Sequence, residues 1–253
     1  MENKPKNYLN DEHLSIGTRE YLRVLNAGGR PVESLPVAEA RKVLADVQAA
    51  VEVDLSGIDE REREIVADGH ALTLHLVRPH GSRGRLPYFV FIHGGGWVLG
   101  DYPTHRRLVR DLVVESEVAA VFVDYTPSPE AKYPQAVDEI YAAVKWVAEN
   151  DAELDLDRRR MALVGNSAGG NMALAAALLA KKRHAPAVRA LVLLWPVTSA
   201  SSDWKSYALY GGERFLTAPL MKWMFDRYTT DARAREEILL SPVNASREEL
   251  FGL

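Results

Sequence analysis

The sequence predicts an α/β fold with a mostly parallel, doubly wound sheet, because strand-like and helical patterns alternate along most of its 253 residues. Residues 118–123 form a continuous apolar run, as expected for a parallel strand that is buried on both faces. Two glycine-rich loops, residues 93–97 and 165–170, each follow directly on another apolar run. These loops therefore lie at the ends of predicted strands, where glycine lets the backbone turn tightly and approach its neighbours.

The first part of the chain is predicted to be helical. Apolar side chains recur at helical spacing over residues 14–25 and again over residues 37–47, and Gly28-Gly29 ends the first run. Residues 8–52 are therefore predicted to contain two amphipathic helices. Their spacing leaves two interpretations open, a packing appendage and part of a cover over a functional site.

The elements of the sheet follow in order. Residues 63–67 and 72–78 alternate apolar and polar side chains, which predicts an antiparallel hairpin at one edge of the sheet with its turn near Asp68-Gly69. The remaining core elements are strands over 88–92, 118–123, 161–164 and 190–195 and helices over 104–116, 134–150 and 171–180. We expect Thr104 to cap the first of these helices.

Residues 198–235 interrupt the alternation. Two aromatic stretches, residues 203–207 and 220–225, predict helices that do not belong to the repeating strand and helix pattern. Their aromatic side chains either pack against the core or contact a substrate, and the spacing does not decide between the two. The residues concerned are Trp204, Tyr207, Trp223 and Phe225.

The turn between the strand at 161–164 and the helix that follows has the pattern Gly-x-Ser-x-Gly around Ser167. In a turn this tight, Gly165 and Gly169 must be small for strand and helix to close on each other, and the serine is held on a strained backbone with its hydroxyl exposed. The new helix also directs the N–H groups of its first turn towards this point. Ser167 is therefore a candidate nucleophile, with a glycine-rich turn of no catalytic role as the alternative.

The second loop has the sequence His-Gly-Gly-Gly-Trp over residues 93–97. Consecutive glycines allow the backbone to approach a ligand and to direct its N–H groups inward. We predict an oxyanion hole in which the N–H groups of Gly95, Gly96 and Ala168 bind the negative oxygen of an acyl-transfer intermediate, with Gly94 shaping the loop.

With these two loops, the chain resembles the hormone-sensitive-lipase-like branch of the α/β-hydrolases, the bacterial carboxylesterases related to acetyl esterase. The resemblance extends from about residue 64 to the last residue, and it includes residues 101–105, 123–130, 133–136, 194–197 and 241–242. It implies a three-layer α/β-hydrolase sandwich with a helical cap, no cofactor or metal, and hydrolysis of small esters with short to medium acyl chains. It also implies that the ring of His93 has a structural role, holding the oxyanion loop.

The resemblance divides the chain into four segments. These are an N-terminal cap segment (1–55), a hydrolase core (56–197), a second cap segment (198–235) and a lead-in to further core strands (236–253). Asn166 departs from the family, which usually has Asp beside the nucleophile. This departure puts the local support of the site in question.

A serine nucleophile needs a base, and in this fold the carboxylate and the histidine of the triad follow the serine along the chain. His184 is the only histidine after Ser167, and the helix would place it roughly 25 Å away. The resemblance implies that the triad Asp and His belong to core strands beyond this lead-in, so we expect the last two core strands to be missing. We assign no catalytic role to Asp203, Asp226 or Asp231.

Three explanations of the missing strands stay open: a fragment of a longer protein, a truncated gene product, and a sheet that another chain completes. In each case the strand at 190–195 would expose an unpaired apolar edge, which favours association. We therefore expect homo-oligomers, formed by dimerisation or swapping, or aggregation.

The composition argues against several other classes of protein. The net charge of −4 gives no bias towards nucleic acid, and no apolar run reaches the roughly 18 residues of a membrane span. The absence of cysteine excludes disulfides, thiolate metal sites and a cysteine nucleophile. The polar start does not resemble a secretory signal, so we expect a cytoplasmic location.

The sequence therefore favours a serine carboxylic-ester hydrolase that acts on a small-molecule ester through an acyl-enzyme, with impaired turnover where the base is absent. Two alternatives stay open. One is a ligand-binding protein that keeps the serine turn and lacks the histidine, as the plant gibberellin receptor does. The other is an inactive fragment.

Overall fold

In the computed structural model, which describes residues 7–253, the described residues form one six-stranded sheet. The strands are β1 (Ile58–Ala67), β2 (His70–Pro79), β3 (Leu86–Ile92), β4 (Ala119–Asp124), β5 (Leu156–Asn166) and β6 (Ala190–Leu194). Their order across the sheet is β1-β2-β4-β3-β5-β6. The β1–β2 and β2–β4 pairs are antiparallel, and the other three pairs are parallel. This confirms the mostly parallel α/β sheet and the hairpin at its edge.

Helices cover both faces of the sheet. The helices are α1 (Ile16–Leu25), α2 (Val37–Ala49), α3 (Tyr102–Ser116), α4 (Gln135–Glu149), α5 (Ala168–Arg183), α6 (Lys205–Tyr210), α7 (Ala218–Tyr228), α8 (Ala232–Glu236) and α9 (Arg247–Leu250). Val90 and Ile92 of β3 pack in the cluster that contains the apolar side chains of α4 and α5, whereas Phe89 and Phe91 pack with α3. The alternation of side chains along β3 therefore builds a three-layer sandwich. None of the described helices is long and apolar enough to cross a membrane.

Several element boundaries differ from the sequence-based prediction; β1, for example, begins at Ile58 rather than at residue 63. Two of the differences have a clear local cause. The helix expected to start at Thr104 begins at Tyr102, because Asp101 is its cap: the Asp101 carboxylate accepts the Thr104 N–H, and the Thr104 hydroxyl accepts the Asp101 N–H, both at 2.9 Å. Strand β5 begins at Leu156, five residues earlier than the predicted position 161. Its first half is polar, with Asp157 paired to Arg159 and Arg160. The apolar run in the sequence therefore indicated only the second half of the strand.

The two predicted cap segments touch each other. Arg214 donates to the Asp11 carboxylate at 2.9 Å in a largely buried ion pair. The Asn26 side chain donates to the Glu213 carbonyl at 3.2 Å. Residues near the start of the described chain and residues before α7 are thus held together, although the segment boundaries themselves remain a prediction.

Candidate active site

Ser167 occupies the turn between β5 and α5 in a backbone conformation that residues other than glycine rarely adopt. Its φ is 54° and its ψ is −122°, as expected for a strained nucleophile turn. The Ser167 N–H donates to the Leu194 carbonyl at 2.9 Å, and the Ser167 carbonyl accepts the Val197 N–H at 3.1 Å. The backbone of the candidate nucleophile is therefore fixed by the residues at the end of β6 and just after it.

The glycines around Ser167 are required by close packing. A Cβ atom on Gly165 would lie 2.8 Å from the Gly170 nitrogen, and one on Gly169 would lie 2.5 Å from the carbonyl carbon of His93. The first approach confirms the expected closure of strand on helix. The second shows that the serine turn packs directly against the loop of residues 93–97.

That loop lies beside the nucleophile. A Cβ atom on Gly94 would lie 3.1 Å from the Ser167 Cβ. Gly95 and Gly96 both have positive φ, 116° and 62°, which glycine adopts without strain. The structure thus brings the two glycine-rich loops of the sequence into one site, as expected for two halves of an oxyanion hole.

The N–H groups of this loop differ in their availability. The Gly94 N–H donates to the Asn166 side-chain oxygen at 2.9 Å, which fits a shaping role for Gly94 rather than a donor role. Ala168 is the first residue of α5, where N–H groups have no partner within the helix. The N–H groups of Gly95, Gly96 and Ala168 donate no hydrogen bond within residues 7–253.

His93 is buried in an aromatic stack. Its ring lies parallel to Tyr125 at 4.2 Å and to Phe122 at 5.4 Å between centroids. Its Nδ1 lies 2.8 Å from the Gly94 carbonyl and donates to it, and the Tyr125 hydroxyl donates to the His93 carbonyl at 3.0 Å. Burial lowers the pKa of His93 to about 3. A ring that stays neutral and bonds the loop supports the structural role that the resemblance implied.

His105 lies behind the serine turn. Its Nε2 is 3.4 Å from the Asn166 amide nitrogen, and its ring centroid is 5.3 Å from that of His93. Burial lowers the pKa of His105, an effect that the hydrogen bond with the Asp101 backbone partly offsets. Asn166 therefore connects the oxyanion loop with α3, so the departure from Asp does not remove local support.

Among the described residues, none is placed as a base at Ser167. Among residues 7–253, which include all seven histidines of the chain, no side chain forms a hydrogen bond with the Ser167 hydroxyl. His184 caps the opposite end of α5, as the sequence implied. The late aspartates have local roles: Asp226 pairs with Arg235 at 2.8 Å, and the Asp231 side chain accepts the Arg233 N–H at 2.8 Å.

Helix α7 covers the oxyanion loop from outside the sheet. A Cβ atom on Gly96 would lie 2.5 Å from the Met224 Cγ, so Met224 packs directly on this glycine. Trp97, which follows it, stacks on Tyr228 at 4.7 Å and meets Phe225 at 5.0 Å between centroids. Phe225 therefore packs against the loop. The contact of Met224 escaped the sequence reasoning because nothing in its spacing distinguishes it from other core methionines.

Two other residues near the site were also missed. Trp195 follows β6 with a φ of 41° and is 69% exposed, one residue after the carbonyl that holds the Ser167 N–H. Tyr125, which holds His93, follows β4 at the same end of the sheet. The end of the apolar run at 118–123 could have indicated Tyr125, since side chains after neighbouring parallel strands meet at one edge.

The profile of the alpha/beta hydrolase fold family matches residues 89–253. The chain belongs to the α/β-hydrolase family. With the sequence motifs described above and the esterases among its relatives, it lies in the hormone-sensitive-lipase-like branch of that family.

Curated relatives match most of the chain. An ethyl acetate hydrolase of Pseudomonas putida is 31% identical over 236 residues, which are 89% of this chain and 74% of that protein. An α/β hydrolase of Acanthamoeba polyphaga mimivirus is 32% identical over 86% of this chain and 62% of its own length. The carboxylesterase NlhH of Mycobacterium tuberculosis is 38% identical over 58% of this chain and 46% of its own length. This chain thus spans from about half to about three quarters of the length of these relatives.

Solved structures agree with the fold. A thermostable esterase from Pseudomonas putida superposes with a TM-score of 0.94 at 52% identity, covering 96% of this chain and 77% of that one. A hyperthermophilic esterase from Pyrobaculum calidifontis superposes with a TM-score of 0.85 at 32% identity, covering 92% of this chain and 76% of that one. These matches confirm the α/β-hydrolase architecture of the described residues.

Proposed function

We propose that this chain carries the nucleophile and the oxyanion hole of a serine carboxylesterase that acts on small esters with short to medium acyl chains. The observation that carries the proposal is the packing of Gly94 against Ser167, whose own backbone is held at a φ of 54°. That arrangement supports a nucleophile with N–H donors beside it. The name of the Pseudomonas putida relative, ethyl acetate hydrolase, supports small esters as the substrate class.

The proposed reaction proceeds through an acyl-enzyme. The Ser167 hydroxyl oxygen attacks the ester carbonyl carbon, the carbonyl π bond opens, and negative charge collects on the former carbonyl oxygen. The N–H groups of Gly95, Gly96 and Ala168 stabilise that charge, each contributing about 3 kcal/mol by analogy with measured oxyanion donors. The tetrahedral intermediate then collapses, and the bond to the alkoxide breaks; the alkoxide takes up a proton from solvent and leaves as the alcohol. Water later attacks the acyl-serine, which releases the acid and returns a proton to the Ser167 oxygen.

The proton of the Ser167 hydroxyl needs an acceptor. No histidine in the described residues takes this position, so we propose that the missing base limits turnover by these 253 residues. An oxyanion hole and substrate binding without a triad retain roughly 10³–10⁴-fold acceleration over water. That residual acceleration does not require the serine, so we expect slow cleavage of activated esters in which attack by Ser167, with solvent taking its proton, adds a serine-dependent part.

The test compares wild type with Ser167→Ala. We expect wild type to cleave p-nitrophenyl acetate and butyrate faster than p-nitrophenyl palmitate, and Ser167→Ala to be slower than wild type, keeping only the serine-independent part of the rate. A fluorophosphonate should label wild type alone. Equal rates for the two proteins, or labelling of Ser167→Ala, would contradict the assignment of the nucleophile.

A second candidate function is ligand binding without turnover. The observation that favours it is the absence of a hydrogen-bonded base at Ser167 within residues 7–253. It predicts that ethyl acetate or a similar small ester perturbs the amide signals of residues 94–96 and 168 in NMR spectra. It also predicts that neither esters nor a fluorophosphonate modifies Ser167.

We also propose that the chain self-associates through β6. Among the described strands β6 pairs with β5 alone, and Val192 on it is 42% exposed. An unpaired apolar strand edge favours pairing with another chain. Light scattering after size exclusion should therefore give a mass above that of one 28.1 kDa chain, rising with concentration.

A further inference from the structure

Asn166 connects three parts of the site. It precedes Ser167 directly and forms the last residue of β5. Its side-chain oxygen accepts the Gly94 N–H at 2.9 Å, and its side-chain nitrogen faces the His105 Nε2 at 3.4 Å. Both ends of the amide therefore have a partner, one in the oxyanion loop and one in α3.

The ring of His105 is fixed in a definite tautomer by its surroundings. Its Nδ1 lies 3.3 Å from the Asp101 carbonyl and 3.0 Å from the Thr104 hydroxyl. A carbonyl oxygen only accepts hydrogen bonds, so Nδ1 carries the proton and Nε2 presents its lone pair to Asn166. Burial, which lowers the pKa of His105, keeps this ring neutral.

Building on the proposed function, we propose that Asn166 is a positioning residue that, together with neutral His105, sets the oxyanion loop against Ser167. By accepting the Gly94 N–H, Asn166 fixes the loop at a point where a Gly94 Cβ would be 3.1 Å from the Ser167 Cβ. The same bond occupies the Gly94 N–H, whereas the N–H groups of Gly95 and Gly96 have no partner among residues 7–253. Asn166 therefore determines which N–H groups meet the substrate.

An aspartate at position 166 would interact differently with His105. A carboxylate oxygen would face the Nε2 lone pair, a repulsive contact unless His105 gains a proton. The other charged or titratable groups around His105 are His93 at 5.3 Å, Asp101, and Arg107 and Asp111, which line a cavity of about 260 Å³ beside it. The Asn166 amide N–H thus suits a neutral His105, whose Nε2 accepts it.

The first test reads the ring of His105 directly and does not depend on catalysis. Long-range ¹H–¹⁵N NMR spectra of wild type at neutral pH should show His105 protonated at Nδ1 alone. In Asn166→Asp the ring should be doubly protonated at pH 6 and lose the additional proton as the pH rises to 8, whereas in Asn166→Ala it should stay neutral over this range. A wild-type ring protonated at Nε2 would overturn the proposed pairing.

The second test measures the rate at which a fluorophosphonate modifies Ser167. Because displacements near 1 Å at a reaction site can cost about 100-fold, we expect Asn166→Ala to slow modification by roughly 10- to 100-fold. Asn166→Asp should recover towards the wild-type rate as the pH falls from 8 to 6, since protonated His105 then faces the carboxylate. Asn150→Ala, which removes a side-chain bond at the end of α4, is the matched control and should react at the wild-type rate.

The outcomes separate the two proposals. If Asn166→Ala reacts as fast as wild type, or if Asn166→Asp shows no recovery at low pH, the positioning role is wrong. If wild type itself is not modified while the His105 tautomer is as expected, the proposed esterase function fails and the Asn166–His105 pairing stands.

Discussion

Strand β5, which leads to Ser167, has two parallel neighbours that differ in burial. On one side, the last five residues of β3 are all buried. On the other side, the five residues of β6 are exposed or half-buried. Both strands are apolar runs in the sequence, and both pair with the same residues of β5, Ala162 to Gly165. An apolar run therefore predicts that a segment joins the sheet, whereas its burial depends on what lies beyond it.

The difference divides the candidate site between two environments. The oxyanion loop follows β3, where α3 covers one face and α5 the other. The backbone of Ser167, by contrast, is held by Leu194 and Val197 on the β6 side. Two of the three donors of the proposed oxyanion hole, Gly95 and Gly96, thus lie on the buried side, whereas the residues that hold the Ser167 backbone lie on the exposed side.

The largest effect is expected where the serine turn meets the loop after β3. In Gly169→Ala the new methyl would overlap the backbone of His93, and overpacking against backbone costs about 3 kcal/mol of unfolding free energy. Urea unfolding measures the change. Gly212→Ala is the matched control, because a Cβ there meets nothing within 4 Å. Equal stability of the two variants would show that the loops are not in contact.

A pair of valines compares the two neighbours of β5 directly. Val90 of β3 is fully buried, and Val192 of β6 is 42% exposed. We expect Val90→Ala to lower the unfolding free energy by about 2 kcal/mol and Val192→Ala by under about 1 kcal/mol. Chemical denaturation of both variants measures the difference. Similar losses would mean that something covers β6 in solution.

Acid should weaken the β3 side through His93. Its pKa is lowered to about 3 in the folded chain, whereas an unfolded histidine titrates near ~6.5. The stability from the neutral ring is therefore complete above about pH 6.5 and is lost as the pH falls towards 3, at about 1.4 kcal/mol per pH unit. His93→Phe keeps an aromatic ring in the stack. The slope of its unfolding free energy between pH 4 and 6 should be smaller by that amount, and an unchanged slope would contradict a buried neutral His93.

The smallest change in stability is expected for a charge on the exposed edge. Val192→Lys should alter the unfolding free energy of the monomer by only about 0.5 kcal/mol, because partly exposed sites tolerate substitution. It should nevertheless reduce self-association, since lysine blocks strand pairing at an edge. Light scattering at matched concentrations measures this. Unchanged association would place the contact elsewhere, for instance in the groove of about 820 Å³ beside the C-terminal end of α5.

The sequence predicted features that depend on local backbone geometry. Ser167 and the glycines of both loops were found because each loop needs small residues at fixed positions next to a strand. The partners that complete the site come from distant parts of the chain. Asn166 meets Gly94 across 72 positions, and Met224 reaches Gly96 from α7. No periodicity signals such contacts, since they arise only when the layers pack.

The same reasoning explains the helix start at Tyr102 and the exposure of β6. Asp101 and Thr104 are both good capping residues, and only the reciprocal bonds between them determine which one is the cap. The apolar pattern of residues 190–194 matches that of a central strand. Strand β6 is nevertheless exposed, because it lies at the end of the described sheet and pairs with β5 alone.

We propose above all that Ser167 is a nucleophile held beside an oxyanion hole. The most direct measurement is the intact mass of the protein after incubation with p-nitrophenyl acetate, followed by peptide mapping. Because a site without a base should release its acyl group slowly, we expect one acetyl group per chain, located on Ser167 and absent from Ser167→Ala. An unmodified chain, or an acetyl group on another residue in both proteins, would contradict it.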